Sequence, residues 1–181
     1  FHSSAFSQKG GELKMMQLWV NLPAKDKMAT PGYQSITKSD IPVVALPDNS
    51  GTVRVIAGRY DAITGPAHTF SPLNVWDLAL NQGSHLTLAQ PEGWSTALVV
   101  LEGHVTVNGT AQAGEAQLVV LSQEGDKLHL EASSDAKVLL MAGAPLNEPI
   151  VGYGPFVMNT KTEIAEAIRD FNSGRFGQIR S

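Results

Sequence analysis

The chain contains no cysteine among its 181 residues. Its chemistry therefore cannot use a thiol nucleophile, a disulfide or a cysteine-ligated metal. It also lacks a basic cluster, because 13 lysines and arginines stand against 17 aspartates and glutamates, for a formal net charge of -4. A surface that neutralises a run of phosphates needs clustered cations, so we expect no direct nucleic-acid binding.

Long apolar runs are missing as well. No stretch approaches the roughly 20 apolar residues of a membrane-spanning helix. The first four residues, Phe1 to Ser4, lack the charged start and apolar centre of a secretory signal. We therefore expect no membrane association and a cytoplasmic location. The length is sufficient for one sizeable domain with extensions.

What the chain does contain is a series of short apolar runs separated by turn residues, a spacing typical of an all-β barrel or sandwich. Asn108-Gly109 is the clearest turn, since a type I′ hairpin turn requires positive φ at both central positions. The predicted strands are 52–57, 73–80, 85–89, 96–101, 104–107, 117–121, 127–131 and 137–141.

The two ends of the chain have a different character. Residues Leu13–Leu22 carry apolar side chains on both faces, which predicts a strand buried from two sides. Near the other end, Thr160 and Glu163 have the spacing of a capping box, and apolar residues then recur at helical spacing. We expect one amphipathic helix that ends near residues 172–174. Both ends have apolar surface to bury.

Several segments are too specific to be generic loops. They are Gly-Ala-Pro-Leu-Asn-Glu-Pro-Ile-Val-Gly-Tyr-Gly-Pro-Phe-Val-Met-Asn-Thr at 143–160, Met-Gln-Leu-Trp-Val-Asn-Leu-Pro at 16–23, Lys-Asp-Lys-Met at 25–28, Pro-Gly-Tyr-Gln at 31–34, Gly-Trp-Ser-Thr at 93–96 and Glu-Gly at 102–103. Together they resemble the pirin family over nearly the whole chain.

Pirins are bicupins, with two β-barrels and one metal site in the first. The resemblance implies an all-β fold: a cupin-type β-barrel (double-stranded β-helix, or jelly roll) with an N-terminal crossover strand and one C-terminal α-helix. It implies three parts. Residues 1–40 are a remnant of the first barrel with the crossover segment, residues 41–145 form the C-terminal cupin barrel, and residues 146–181 form the C-terminal arm and helix.

The family pattern also allows a test for a metal site in the complete barrel. Counting back from Gly103 places the glutamate position near Thr96 and the paired histidine positions near Gln90 and Glu92, none of which holds the required residue. Strand alternation turns the histidines of the predicted strands outward, and a fourth lies in a loop. These are His85, His104, His129 and, in the loop, His68. We expect this barrel to be metal-free.

The resemblance leaves one remnant of the family metal site. His2 matches the family's third histidine, but Ser4 stands where the family has its glutamate. A neutral hydroxyl is a poor ligand and offers no charge to offset a divalent cation. His2 is therefore a weak metal ligand. We expect no cofactor in this chain, whereas full-length relatives hold iron or another divalent metal.

The remaining candidate groups are few. Asp61 and Asp77 are possible buried carboxylates, although alternation places Asp77 opposite the apolar face of its strand. Trp76 and Trp94 are either core residues, which is the commoner role, or the walls of a pocket at the barrel mouth. The sequence favours no catalytic residue.

Three functional readings follow. The favoured one is a pirin-like cupin that is non-catalytic in this form and acts as a protein-interaction or regulatory module. The alternative is a metal-dependent oxygenase of the quercetin 2,3-dioxygenase type, if a longer native chain restores the first-barrel metal site. A truncation product without activity of its own is the third. We also expect a homo-oligomer, formed through the N-terminal strand and the C-terminal helix.

Overall fold

A computed structural model of the chain describes residues 8–11 and 15–176. These residues form an all-β fold with one α-helix, which confirms the predicted class. The elements are β1 (Val43–Ala45), β2 (Gly51–Ala57), β3 (Arg59–Tyr60), β4 (Ile63–Thr64), β5 (Leu73–Leu80), β6 (His85–Ala89), β7 (Ser95–Glu102), β8 (His104–Val107), β9 (Ala111–Gly114), β10 (Leu118–Val120), β11 (Lys127–Ala132), β12 (Ala136–Gly143), β13 (Val151–Tyr153), β14 (Phe156–Met158) and α1 (Lys161–Asn172).

Two antiparallel sheets form the body of the fold. The larger has six strands in the order β1-β2-β5-β12-β7-β10, and the smaller has four in the order β6-β11-β8-β9. The apolar side chains of both sheets join one core, because alternate residues of each strand point to the same side. In β11, for example, Leu128 and Leu130 are buried while Lys127, His129 and Glu131 are exposed.

The strands predicted from apolar runs are all present, most with bounds within two residues of the prediction. The sequence did not indicate β1, β3, β4, β9, β13 or β14, which are short. The predicted turn is also confirmed, with φ of 50° at Asn108 and 66° at Gly109. Its loop is one residue longer than expected, because β8 and β9 pair as Val107 with Ala111 and leave Thr110 unpaired.

The predicted strand at Leu13–Leu22 is wrong for the residues that the structure describes. Residues 15–22 belong to no sheet, and Trp19 is 77% exposed. A strand requires a neighbouring strand for its backbone hydrogen bonds, and no described strand of this chain pairs with the segment. The apolar residues on both faces of this segment therefore mark exposed apolar surface, and not a strand that is paired within a sheet of this chain.

The C-terminal helix follows the prediction closely. The Thr160 hydroxyl oxygen accepts a hydrogen bond from the Glu163 N–H at 3.2 Å, and the Glu163 carboxylate accepts one from the Asn159 N–H at 3.1 Å. This reciprocal arrangement begins α1, and Gly174, with φ of 72°, follows its end. Among the described residues, no helix combines the length and apolarity that crossing a membrane requires.

The Gly143–Thr160 segment contains the β13–β14 hairpin, against which α1 packs. Its apolar residues are only partly covered: Phe156 and Met158 are half-buried, whereas Ile150 and Val157 are exposed. The Glu148 carboxylate holds the N-terminal segment to this region, because it accepts hydrogen bonds from the Ala24 N–H at 2.7 Å and from the Asn159 amide at 3.3 Å. The N-terminal segment near Ala24 therefore lies beside the segment that precedes α1.

Candidate functional site

One end of the core is polar, and it is the end where the family pattern places metal ligands. Asn74 on β5 and Thr96 on β7 both pair with Ala142 of β12, so they lie in one row across the larger sheet. Gln90 follows β6 of the smaller sheet and donates its backbone N–H to the Asp126 carbonyl at 2.9 Å. Asn74, Thr96 and Gln90 are buried.

Hydrogen bonds between neutral groups hold this polar end together. The Asn74 side-chain amide donates to the Gln90 side-chain carbonyl at 3.3 Å, and the Asn74 carbonyl oxygen accepts from the Arg59 backbone N–H at 3.1 Å. Gly58 allows this close packing, since a Cβ at that position would lie 2.1 Å from the Asn74 oxygen. The site is thus built from carboxamides rather than from imidazoles and carboxylates.

This donor set does not fit a divalent metal. Carboxamides and a hydroxyl are poor substitutes for the histidines and glutamate of a cupin metal site, and Glu92 is exposed. Within residues 8–11 and 15–176, no group of three or more His, Asp or Glu side chains is arranged to hold a metal ion. The described residues therefore give no support for metal chemistry inside this sheet pair.

The histidines of the strands lie on the outer face of the smaller sheet, as alternation predicted. His85, His104 and His129 are all exposed. His129 Nδ1 lies 2.9 Å from the Thr87 hydroxyl, and His85 Nδ1 lies 3.9 Å from a Glu131 carboxylate oxygen. These are contacts between neighbouring strands on an exposed surface and do not converge on a site.

The other predicted residues fall into three groups. His68 is exposed in its loop, where its backbone exchanges hydrogen bonds with the Gln34 side chain at 2.7 and 2.9 Å. Asp77 faces outward and pairs with Arg54 at 3.0 Å, and Asp61 is exposed. His2 and Ser4 lie outside the described residues, so their assignment stays a prediction.

The two tryptophans combine the roles that the sequence left open. Trp76 is 3% exposed and belongs to the core, and Trp94 is half-buried against it. Both also line a cavity of about 640 Å³ at the polar end, together with Tyr60, Asn74 and Gln90. Asn74 is the site residue that sequence reasoning missed, although it is a polar residue on the otherwise apolar inner face of β5.

An apolar groove of about 680 Å³ lies on the opposite side of the larger sheet, away from the core. The N-terminal segment around Trp19 forms one wall, and the segment from Gly143 to Ile150 forms another. Its floor includes Val75 and Met141, which point away from the core. This face of the larger sheet, the N-terminal segment around Trp19 and the segment from Gly143 to Ile150 therefore present apolar surface together.

Comparison with known proteins agrees with this architecture. Residues 75–177 match the family model for the pirin C-terminal cupin domain. A Pseudomonas aeruginosa protein named "Putative quercetin 2,3-dioxygenase PA2418" is 52% identical over 97% of this chain and 61% of its own length. A pirin-like protein of Caulobacter vibrioides is 39% identical over 97% of the chain and 63% of its own.

A solved structure is also similar. The crystal structure of a quercetin 2,3-dioxygenase from Acinetobacter baumannii superposes with a TM-score of 0.83 and 54% sequence identity. The superposition covers 90% of this chain and 56% of that one. The chain therefore spans about three fifths of the length of these curated relatives and of that structure.

Proposed function

Because the chain belongs to the pirin family of cupins, we propose that residues 41–145 form a non-catalytic cupin module, and that the chain acts through contacts with other proteins. The observation that carries this proposal is the polar end of the core. Where the family pattern expects histidines and a glutamate, Gln90 and Thr96 are buried and the Gln90 amide is bonded to Asn74.

The interaction surface of the proposed module lies at the two ends of the chain. Trp19 in the N-terminal segment and Phe171 on α1 are 77% and 61% exposed. Phe171 also packs edge-on against Phe156, with ring centroids 6.0 Å apart, and so continues the apolar surface onto the β13–β14 hairpin. Exposed apolar surface of this extent favours association. We propose that a second copy of this chain covers it and gives a homo-oligomer.

The oligomer is tested by light scattering on a matched pair of phenylalanine variants. Phe171→Ser removes an exposed ring from the proposed interface, and Phe70→Ser removes a ring of similar exposure, 52%, from the loop before β5. We expect the unmodified chain and Phe70→Ser to form the same oligomer. The Phe171→Ser oligomer is expected to be weaker and to dissociate at a higher protein concentration than the other two. A stable monomer of the unmodified chain at working concentration contradicts the proposal.

A second candidate is metal-dependent oxygenase chemistry of the quercetin 2,3-dioxygenase type, if a longer native chain restores the first-barrel metal site. It is favoured by the names of the 52% and 54% identical proteins, both given as quercetin 2,3-dioxygenases. On this reading the reaction is carried outside residues 41–145. Quercetin consumption by a longer native chain, with none by the 181 residues alone, would support it. Consumption by the chain alone would contradict the non-catalytic module.

A further inference from the structure

One edge of the larger sheet is open. β10 is the last strand in the order of that sheet, and no strand of the described residues pairs with its other side. The Gln117 carbonyl accepts a hydrogen bond from β7 and the Leu121 N–H donates one to β7, each at 3.0 Å. Successive residues of a strand point their backbone groups to opposite edges. The N–H and C=O groups of Leu118 and Val120 therefore face the open edge.

The sequence around β10 does not protect this edge. Residues 116–123 contain no charged residue and no proline, which are the usual means of blocking an edge strand. The opposite edge of the same sheet is β1, and Pro42 and Pro47 flank it, with Asp40 and Asp48 beside them. β10 is thus open to pairing with another strand, whereas β1 is shielded.

The side chains of β10 extend an apolar surface to the open edge. Leu118 and Val120 are 60% and 71% exposed, and Val119 between them packs against the core. Leu118 lies in one row of the sheet with Val99 of β7 and Leu139 of β12. Apolar pairs across neighbouring strands stabilise a sheet. An apolar strand added at this edge would continue the row.

A second copy of β10 fits this edge in an antiparallel register. With Val119 at the two-fold axis, Leu118 lies opposite Val120 of the second copy, and the two backbones form about four hydrogen bonds. Glu115 and Glu124 flank the uncharged segment. In this register each of these acids lies opposite an uncharged residue of the second copy. The pairing therefore matches apolar with apolar side chains and brings no like charges together.

We propose that β10 pairs antiparallel with β10 of a second copy, so that the two larger sheets become continuous. Two strands of this length bury less than the roughly 800 Å² per partner of a standard interface. The inference therefore rests on the proposed homo-oligomer, in which the apolar surface around Trp19 adds to the contact. Val120 and Trp19 line the same groove, so the two contacts are neighbours.

The first test removes an edge donor. Val120→Pro deletes an N–H that points away from β7, a change that an edge strand tolerates. The dimer would lose about two hydrogen bonds and gain two rings at the contact, so we expect its dissociation constant to rise about tenfold to a hundredfold. Sedimentation of a dilution series measures the constant.

Val43→Pro is the matched control on the opposite edge. Val43 is 59% exposed on β1. The preceding Pro42 carbonyl accepts a hydrogen bond from the Val55 N–H of β2 at 3.1 Å, so the Val43 N–H points away from the sheet in the same way. We expect Val43→Pro to leave the dissociation constant unchanged.

The second test reads the register through disulfides, and the chain has no cysteine of its own to interfere. Leu118→Cys and Val120→Cys are mixed in equal amounts and oxidised. The proposed pairing places the two different positions directly opposite, with Cα atoms about 5.5 Å apart, a distance that a disulfide spans. Identical positions lie diagonally, about 7–8 Å apart. We expect the mixed disulfide to exceed the same-variant disulfides by about threefold or more.

An unchanged dissociation constant for a folded Val120→Pro overturns the pairing and leaves the proposed oligomer in place. So does an equal yield of mixed and same-variant disulfides. The cysteine variants keep every backbone N–H, so they decide the question if Val120→Pro does not fold. A monomeric unmodified chain would overturn both the proposed oligomer and the strand pairing.

Discussion

Replacing Leu140 by alanine is expected to lower the free energy of unfolding by about 2–5 kcal/mol, the usual cost of a cavity left by a buried leucine. Leu140 is fully buried in the middle of β12, the strand that pairs with both β5 and β7. Its neighbours across the two ladders are Trp76 and Leu98, which are themselves buried in the core. The surrounding sheet leaves little room to collapse into the gap.

The matched control is Leu118→Ala on β10, at the edge of the same sheet. Leu118 is 60% exposed, so its truncation is expected to change the stability by no more than about 0.5 kcal/mol. Urea unfolding followed by tryptophan fluorescence measures both variants. Equal losses for the two leucines would mean that β12 does not lie at the centre of the fold.

The second large effect is expected at Gly103, between β7 and β8. A Cβ at this position would lie 2.1 Å from the Asp135 carbonyl oxygen and 2.9 Å from the Ala136 Cα, which are backbone atoms that cannot rotate away. Gly103→Ala is therefore expected to cost ~1–3 kcal/mol for the steric conflict, in addition to about 1–2 kcal/mol for a side chain at positive φ.

Gly83 separates these two contributions. Its φ of 77° is nearly the same as the 78° of Gly103, but no atom lies within 4 Å of a Cβ built there. Gly83→Ala should thus show the backbone cost alone, about 1–2 kcal/mol. Thermal unfolding of both variants is the measurement. A loss at Gly83 as large as that at Gly103 would show that the contact with residues 135–136 is not made.

Much of the fold could be predicted because the sequence of a strand covered on one side alternates between apolar and polar residues, and this alternation shows which side chains face the core. In β6 and β11 leucines alternate with polar residues, and the structure buries the leucines that alternation places inside. The capping box of α1 and the turn at Asn108-Gly109 were likewise predicted from a few neighbouring residues. Signals confined to a few neighbouring residues require no knowledge of what lies across the core.

The N-terminal segment and the polar site could not be predicted on the same basis. Around Trp19 the pattern predicted burial on two sides, whereas Trp19 is exposed in the structure. The pattern does not identify the surface against which these residues would pack. The contact between Asn74 and Gln90 joins the two sheets across 16 positions of the chain, and it exists only once the sheets have closed over one core. Asn74 has neither the charge nor the motif spacing that draws attention in a sequence, and Gln90 was noted only as a position where the family pattern expects a histidine.

The central claim is that residues 41–145 bind no catalytic metal, and metal analysis of the 181-residue chain tests it most directly. The chain would be loaded with iron(II) or nickel(II), desalted and measured by mass spectrometry, beside a His2→Ala variant that removes the remnant ligand. The account predicts far less than one equivalent in both. One equivalent of firmly bound metal that persists in His2→Ala would contradict it. The chain would then bind a metal without His2, although Gln90 and Thr96 occupy positions where the family pattern expects metal ligands.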